Sequence, residues 1–178
     1  FERAIHKAGA RSIMTSYNSL NGQACSANSW LLTDKLKKEW DFGGFVISDA
    51  NAVGGELVLH RTANDYAESG VHALNAGLDV IFQTDIAHFK LFFPQTPVVG
   101  MDTNRINDAV SRVLRAKFNL GLFEQPYAST NIDMDSLLRK GHELAQKVAE
   151  ESIVLLKNEG STLPLAQDIS SIAVFGPD

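Results

Sequence analysis

From the first residue to about residue 123, short apolar runs alternate with longer amphipathic stretches, the pattern of β–α units built around a parallel sheet. Residues 12–16, 44–48 and 78–82 predict the strands. Each is a short apolar run without the every-second-residue alternation of a half-exposed strand, as expected where helices cover both faces of the sheet. Helices are predicted between and after them. In SANSWLLTDKLKKEW, Leu32, Leu36 and Trp40 recur four apart while Lys35, Lys37 and Lys38 lie off that stripe, and Asn28 or Ser29 supplies an N-cap. A second helix carries Tyr66, Val71 and Leu74 and stops at Gly77. A third puts Ile106, Val110, Val113, Leu114 and Phe118 on one face, with Asp102 as cap and Gly121 as stop. The opening FERAIHKAGARSIM reads as a helix running into the first strand.

Beyond Phe123 the polar EQPYASTNIDMDS suits a linker. A helix over 137–157, the turn NEGSTLPL and a strand over 171–175 then predict the start of a second α/β unit. The expected division is 1–123, a linker at 124–136, and 137–178. Both ends interrupt a pattern, so the chain is expected to be a piece of something longer, truncated on both sides. Three β–α units cannot close a barrel, because closure fixes strand number, tilt and shear together.

Composition narrows the partners. The net charge is −5 with a pI near 5.5, and the basic residues are scattered, so neither nucleic acid nor an anionic membrane is an expected partner. The longest apolar runs, such as Phe45-Val46-Ile47 and Ile153-Val154-Leu155-Leu156, fall far short of the roughly 20 residues of a membrane-spanning helix. The single Cys25 excludes an intrachain disulfide and an all-cysteine metal site.

In parallel α/β folds, reactive groups gather at the carboxyl ends of the strands. That rule selects Tyr17 and Asn18 after the first strand, Asp49 after the second, and Gln83, Thr84 and Asp85 after the third. Asp49, directly behind a buried apolar strand, has the chemistry of a nucleophile or base; it equally suits a helix cap or an Asx turn. Tyr17 either orients that carboxylate or is a core tyrosine with a satisfied hydroxyl. His60 and His72, with Glu56 four residues before His60, lack a third ligand at zinc spacing, so no metal is expected, and His60 reads as a solvated loop histidine. Asp79 suits a structural hydrogen bond inside the sheet, Asp85 is a weaker candidate carboxylate or a cap of the segment that follows it, and Cys25 reads as a packed loop thiol.

The stretch SYNSLNGQACSANSWLLTDKLKKEWDFGGFVISDA resembles the signature region of glycoside hydrolase family 3, in order and in spacing. NAGLDV, the RVLRAKFNLGLF helix and the ESIVLLKNEG–LPL run extend the resemblance over nearly the whole chain. The resemblance implies an α/β fold: the C-terminal part of a TIM-like (β/α) barrel, its sixth to eighth strands, followed by the start of an α/β sandwich domain.

It also implies a retaining double displacement with Asp49 as catalytic nucleophile and Tyr17 contacting both nucleophile and sugar. The partner acid/base, a glutamate of the second domain in this family, would fall beyond Asp178, and the arginine and Lys-His sugar-binding motifs before Phe1, so the fragment alone is expected to be inactive. The implied substrate is an oligosaccharide or β-glycoside cut at a terminal non-reducing β-D-glucosidic bond. No cofactor is implied, the remaining segments of the enzyme are implied partners, homodimerisation stays open, and a periplasmic or secreted location is favoured. One departure bears on specificity: Ala50 stands where many family β-glucosidases carry a sugar-stacking tryptophan. With Cys25 shortly after the NG pair, this resembles the β-xylosidase branch and leaves that activity as an alternative, beside a silent carbohydrate-binding homologue and a phosphorylase.

Overall fold

The computed structural model describes residues 1–83, 86–92, 100–129 and 133–176, and the chain divides into two compact units, Phe1–Ala128 and Ser129–Asp178. In the first, α1 (Glu2–His6) leads into β1 (Ser12–Met14), which runs parallel to β4 (Phe45–Ile47) with Ile13 opposite Val46. The pairing outlasts the strands: Phe45 N–H donates to the Arg11 carbonyl at 3.2 Å and Thr15 N–H to the Ile47 carbonyl at 2.9 Å. On the far side of β4 the third run makes one parallel bridge, Ile47 to Val80, where a strand over 78–82 was expected. The cause is Asp79. Its carboxylate takes the Val46 N–H at 2.8 Å, a donor that a regular ladder gives to a backbone carbonyl.

Between β1 and β4 stands a small antiparallel hairpin, β2 (Ser19–Leu20) and β3 (Gln23–Ala24), which the sequence pattern did not predict. Its turn, Asn21 and Gly22, has φ of 54° and 82°, the pair of positive angles that a two-residue hairpin turn of matching twist requires. A helix with π winding, Trp30–Glu39, follows. Its start is secured by Asn28, whose Oδ1 accepts from Leu31 N at 3.0 Å while its Nδ2 donates to the Leu20 carbonyl at 3.1 Å. The expected stripe faces inward: Leu32 and Leu36 are buried and Trp40 is partly so.

The core joins that helix to β4 and its surroundings through Leu32, Leu36, Phe42, Val46, Val53, Ala73, Leu78, Ile81 and Phe92. Helix α2 (Tyr66–Ala76) is capped by Asp65, which accepts from Glu68 N, and closed by Gly77 at φ 119°. Its buried side is the small-residue side, Ser69, Gly70, Ala73 and Ala76, because α3 (Ile86–Phe92) lies close against it, with Phe92 in contact range of Gly70 and edge-on to Tyr66 at 5.5 Å between ring centroids. Helix α4 (Thr103–Asn119) begins at the expected cap, Asp102, and stops before Gly121. Most of its apolar stripe, all but Val113, stays exposed, Phe118 to 62%, and the inward side carries Ala109 among polar residues.

That inward side ties the unit together. Asp79, its side chain fully buried, accepts from Lys37 Nζ at 2.7 Å and from Arg105, which also donates to the Leu74 and Leu78 carbonyls at 3.0 and 3.1 Å. Two turns on, Arg112 donates to the Phe42 and Gly44 carbonyls, both at 2.9 Å, and to Asp108. Two cations therefore converge on one buried carboxylate, and a third on backbone acceptors at the entry to β4.

In the second unit, Asp133 caps α5 (Met134–Ser152) by accepting from Ser136 N at 3.0 Å. The helix ends five residues before the expected position, 157. Asn158 clasps the following turn, donating to the Leu163 carbonyl at 2.7 Å and accepting from Leu163 N at 2.9 Å. Residues 171–175 form no strand, and Val174 and Phe175 are 90% and 92% exposed. Strand-forming residues need a neighbouring strand for their backbone groups, and the described part of this unit offers none.

Candidate active site

The loops behind β1 and β4 bring Tyr17 and Asp49 together. The residue before Asp49 is fixed twice: Ser48 N–H donates to the Val80 carbonyl at 2.9 Å, and the fully buried Ser48 Oγ accepts from Phe82 N at 2.9 Å. Asp49 itself is partly exposed. Its Oδ1 accepts from Ala50 N at 2.7 Å and its carbonyl from Ala52 N at 3.1 Å, so the local backbone bonding expected of an aspartate after a strand is present. Asn51, at φ 63°, then turns the chain and donates its N–H to the Phe82 carbonyl at 3.1 Å.

Tyr17 reaches across from the first strand. The residue is 47% exposed, and its hydroxyl donates to the Ala50 carbonyl at 2.7 Å, beside Asp49. Desolvation first, then the negative charge of Asp49 and hydrogen bonding to it, push the phenol above its ordinary value. The phenol therefore keeps its proton at neutral pH and remains a donor. A carboxylate with a protonated phenol at its side, on adjacent parallel strands, is equipped for attack on an electrophilic carbon with a donor ready for charge changes on the carboxylate.

The other strand-end candidates divide. Asn18 holds the hairpin, its carbonyl accepting from Cys25 N at 3.1 Å, and Cys25 is a buried free thiol. Gln83 is partly buried with its Nε2 unpaired, and Thr84 and Asp85 lie outside the described residues. His60, expected to be solvated, has Nε2 2.8 Å from the Tyr17 carbonyl oxygen. Glu56 is buried in the same short helical turn, Glu56–His60, with His72 Nδ1 at 3.4 Å and Thr62 Oγ1 at 3.3 Å. Burial raises the Glu56 carboxyl, with the charge of His72 as the main opposing influence. Nothing in the sequence signals this inversion, since the neighbouring Val58 and Leu59 are exposed. Among the described residues, no group of three or more His, Cys, Asp or Glu is arranged to hold a metal ion.

Residues 1–116 match the model of the glycosyl hydrolase family 3 N terminal domain. The chain belongs to glycosyl hydrolase family 3. The N-terminal domain of family 3 is of TIM-barrel type, and the α/β units of residues 1–116 are consistent with that class. The chain is similar to the periplasmic beta-glucosidase of Salmonella typhimurium, 38% identical over 177 residues that cover 96% of this chain and 23% of that protein. It is similar as well to a beta-xylosidase of Formosa agariphila, 34% identical over 186 residues that cover 100% of this chain and 26% of the relative. Among solved structures, the beta-glucosidase from Listeria innocua in complex with gluconolactone superimposes with a TM-score of 0.76 at 34% identity, over 93% of this chain and 23% of that one. The family 3 chain described here thus spans about a quarter of the length of the relatives it matches.

Proposed function

We propose that this chain is the nucleophile-bearing part of a longer retaining β-glycosidase that hydrolyses terminal non-reducing β-D-glucosidic bonds. The observation that carries the proposal is the pairing at the carboxyl ends of β1 and β4: Asp49 behind a buried strand, with the Tyr17 hydroxyl 2.7 Å from the Ala50 carbonyl and its phenol held in the protonated form. In this mechanism an Asp49 oxygen attacks the anomeric carbon as the glycosidic C–O bond breaks, and the leaving oxygen takes a proton from an acid supplied by another part of the enzyme. Water, deprotonated by that same group, then displaces Asp49 and releases the sugar with retained configuration. Tyr17, its hydroxyl bonded to the Ala50 carbonyl beside the nucleophile, holds the loop that aims Asp49 for the first step.

Residues 1–123 correspond in this proposal to the last strands and helices of the barrel, and 137–178 to the start of an α/β sandwich domain. The substrate is an oligosaccharide or simple β-glycoside, and the remaining segments of the enzyme complete the site. The name of the Salmonella relative supports a periplasmic or secreted location. Ala50, a small residue next to the nucleophile, supports β-xyloside cleavage as the second reading, in keeping with the name of the Formosa relative.

The test is labelling of the full-length enzyme with 2-deoxy-2-fluoro-β-glucosyl and β-xylosyl fluorides, followed by peptide mapping. A stable adduct on Asp49 is expected, faster with the glucosyl reagent. An adduct on any other residue overturns the assignment, and faster trapping by the xylosyl reagent selects the second reading. Sugar binding without turnover or adduct would identify a silent binding homologue.

A further inference from the structure

We infer that His60 is a positioning residue that aims the Tyr17 phenol at Asp49 by holding the main-chain carbonyl of Tyr17. The inference rests on the roles proposed above for Asp49 and Tyr17. The loop that begins at the nucleophile returns eleven residues later to the same tyrosine. Its start meets the Tyr17 side chain, the hydroxyl donating to the Ala50 carbonyl at 2.7 Å, and its end meets the Tyr17 backbone, His60 Nε2 lying 2.8 Å from the carbonyl oxygen. A carbonyl only accepts, so Nε2 carries the proton and His60 is the donor. Both the Nε2-protonated neutral ring and the imidazolium fill that role.

Two features make this bond matter. Tyr17 is 47% exposed, so packing alone leaves the direction of its side chain loosely set and directional bonds must fix it. The donor itself is anchored. His60 closes a turn whose first residue, Glu56, is buried, accepts from Thr62 N at 2.8 Å through its carbonyl and from Thr62 Oγ1 through its carboxylate, and lies against His72 on α2. Arg61, at φ 55°, ends the turn. The imidazole thereby transfers the rigidity of α2 to the residue that faces the nucleophile.

A double-mutant cycle in the full-length enzyme tests this, with turnover of an aryl β-glucoside as the readout and the melting temperature alongside. His60→Ala is expected to lower kcat roughly ten- to a hundredfold, the scale of misplacing a catalytic group by about an ångström, with a much smaller change in KM. His60→Gln, whose Nε2 is the same kind of donor at a similar reach, is expected to restore most of the loss. In a Tyr17→Phe background, His60→Ala should cost less than about twofold, because the group it aims is gone. Equal losses in the two backgrounds, wild-type turnover in His60→Ala, or no recovery in His60→Gln overturns the inference. If His60→Ala does not fold, His60→Gln against His60→Leu, each with and without Tyr17→Phe, provides the same cycle. A wild-type enzyme inert toward every β-glycoside instead overturns the proposed function on which the inference depends, and the two failures are distinguished by the wild-type assay alone.

Discussion

Replacing Asp79 with alanine should destabilise the first unit more than any other single loss of a polar group. The carboxylate is fully buried and satisfies Lys37, itself only 7% exposed, together with Arg105 and the Val46 N–H. Arg105 and Arg112 have further acceptors; the principal partner of Lys37 is Asp79, its distance to Asp108 being 3.8 Å. Losing one member of a buried pair costs about 3–5 kcal/mol, because the remaining charge stays buried without compensation. A domain of 150–250 residues loses about 2–4 °C per kcal/mol, so a fall on the order of 10 °C is expected. Differential scanning of the full-length protein, with activity at 25 °C as control, measures it. Desolvation already lowers Lys37, and Asp79 is what opposes that shift. Without Asp79 the folded-state value falls further below the unfolded one, the unfolded chain binds more protons in that interval, and stability rises with pH there. The deficit of Asp79→Ala should therefore shrink toward alkaline pH. Adding Lys37→Met should recover most of the loss even near neutrality. A single variant within about 1 kcal/mol of wild type would refute the network as the tie between β4 and α4.

Three further outcomes are expected. A Cβ on Gly44 would lie 2.1 Å from the Arg11 carbonyl oxygen and 2.6 Å from the Phe42 ring, so Gly44→Ala should unseat β4 from β1 and cost upwards of about 3 kcal/mol in denaturant unfolding. Burial raises Glu56 above its unfolded value, so the stability this group contributes is complete below the ordinary glutamate range and declines as pH rises through the raised value. Glu56→Gln should accordingly flatten the fall in stability as pH rises above the ordinary glutamate range, and an unchanged pH profile of unfolding would contradict that. Asn28→Ala removes both the cap of the Trp30–Glu39 helix and the bond to the hairpin, an expected loss of about 1–2 kcal/mol, visible as a lower unfolding midpoint.

What the sequence made legible was local. The first two apolar runs, the stripe of Leu32 and Leu36, the Asp102 cap and the stop at Gly77 each depend on neighbours within a turn or a strand, and each appears where its pattern lies. The third run shortened to a bridge because Asp79, 33 residues from Val46 in the chain, claims that amide, and no local pattern encodes such a contact. The same holds for Arg112 on the carbonyls of Phe42 and Gly44, some 70 residues away, and for Glu56, which meets His72 of α2. The strand expected at 171–175 failed for the converse reason: its composition is right, but a strand is a property of a pair. At the site, strand-end position selected Asp49 and Tyr17, and their juxtaposition follows from β1 lying next to β4. The role of His60 was illegible, since its partner is a backbone carbonyl and carries no residue signature.

The hydroxyl of Tyr17 donates its proton to the oxygen of a peptide group, that of Ala50, and residue 50 meets Asp49 through its own N–H. The hydrogen bonding of the pair is thus indifferent to which side chain stands at 50, proline excepted. Libraries randomised at Ala50 should drift widely in the sugars they accept while the phenol and the carboxylate keep their places, so the choice of substrate can diverge without renegotiating the chemistry.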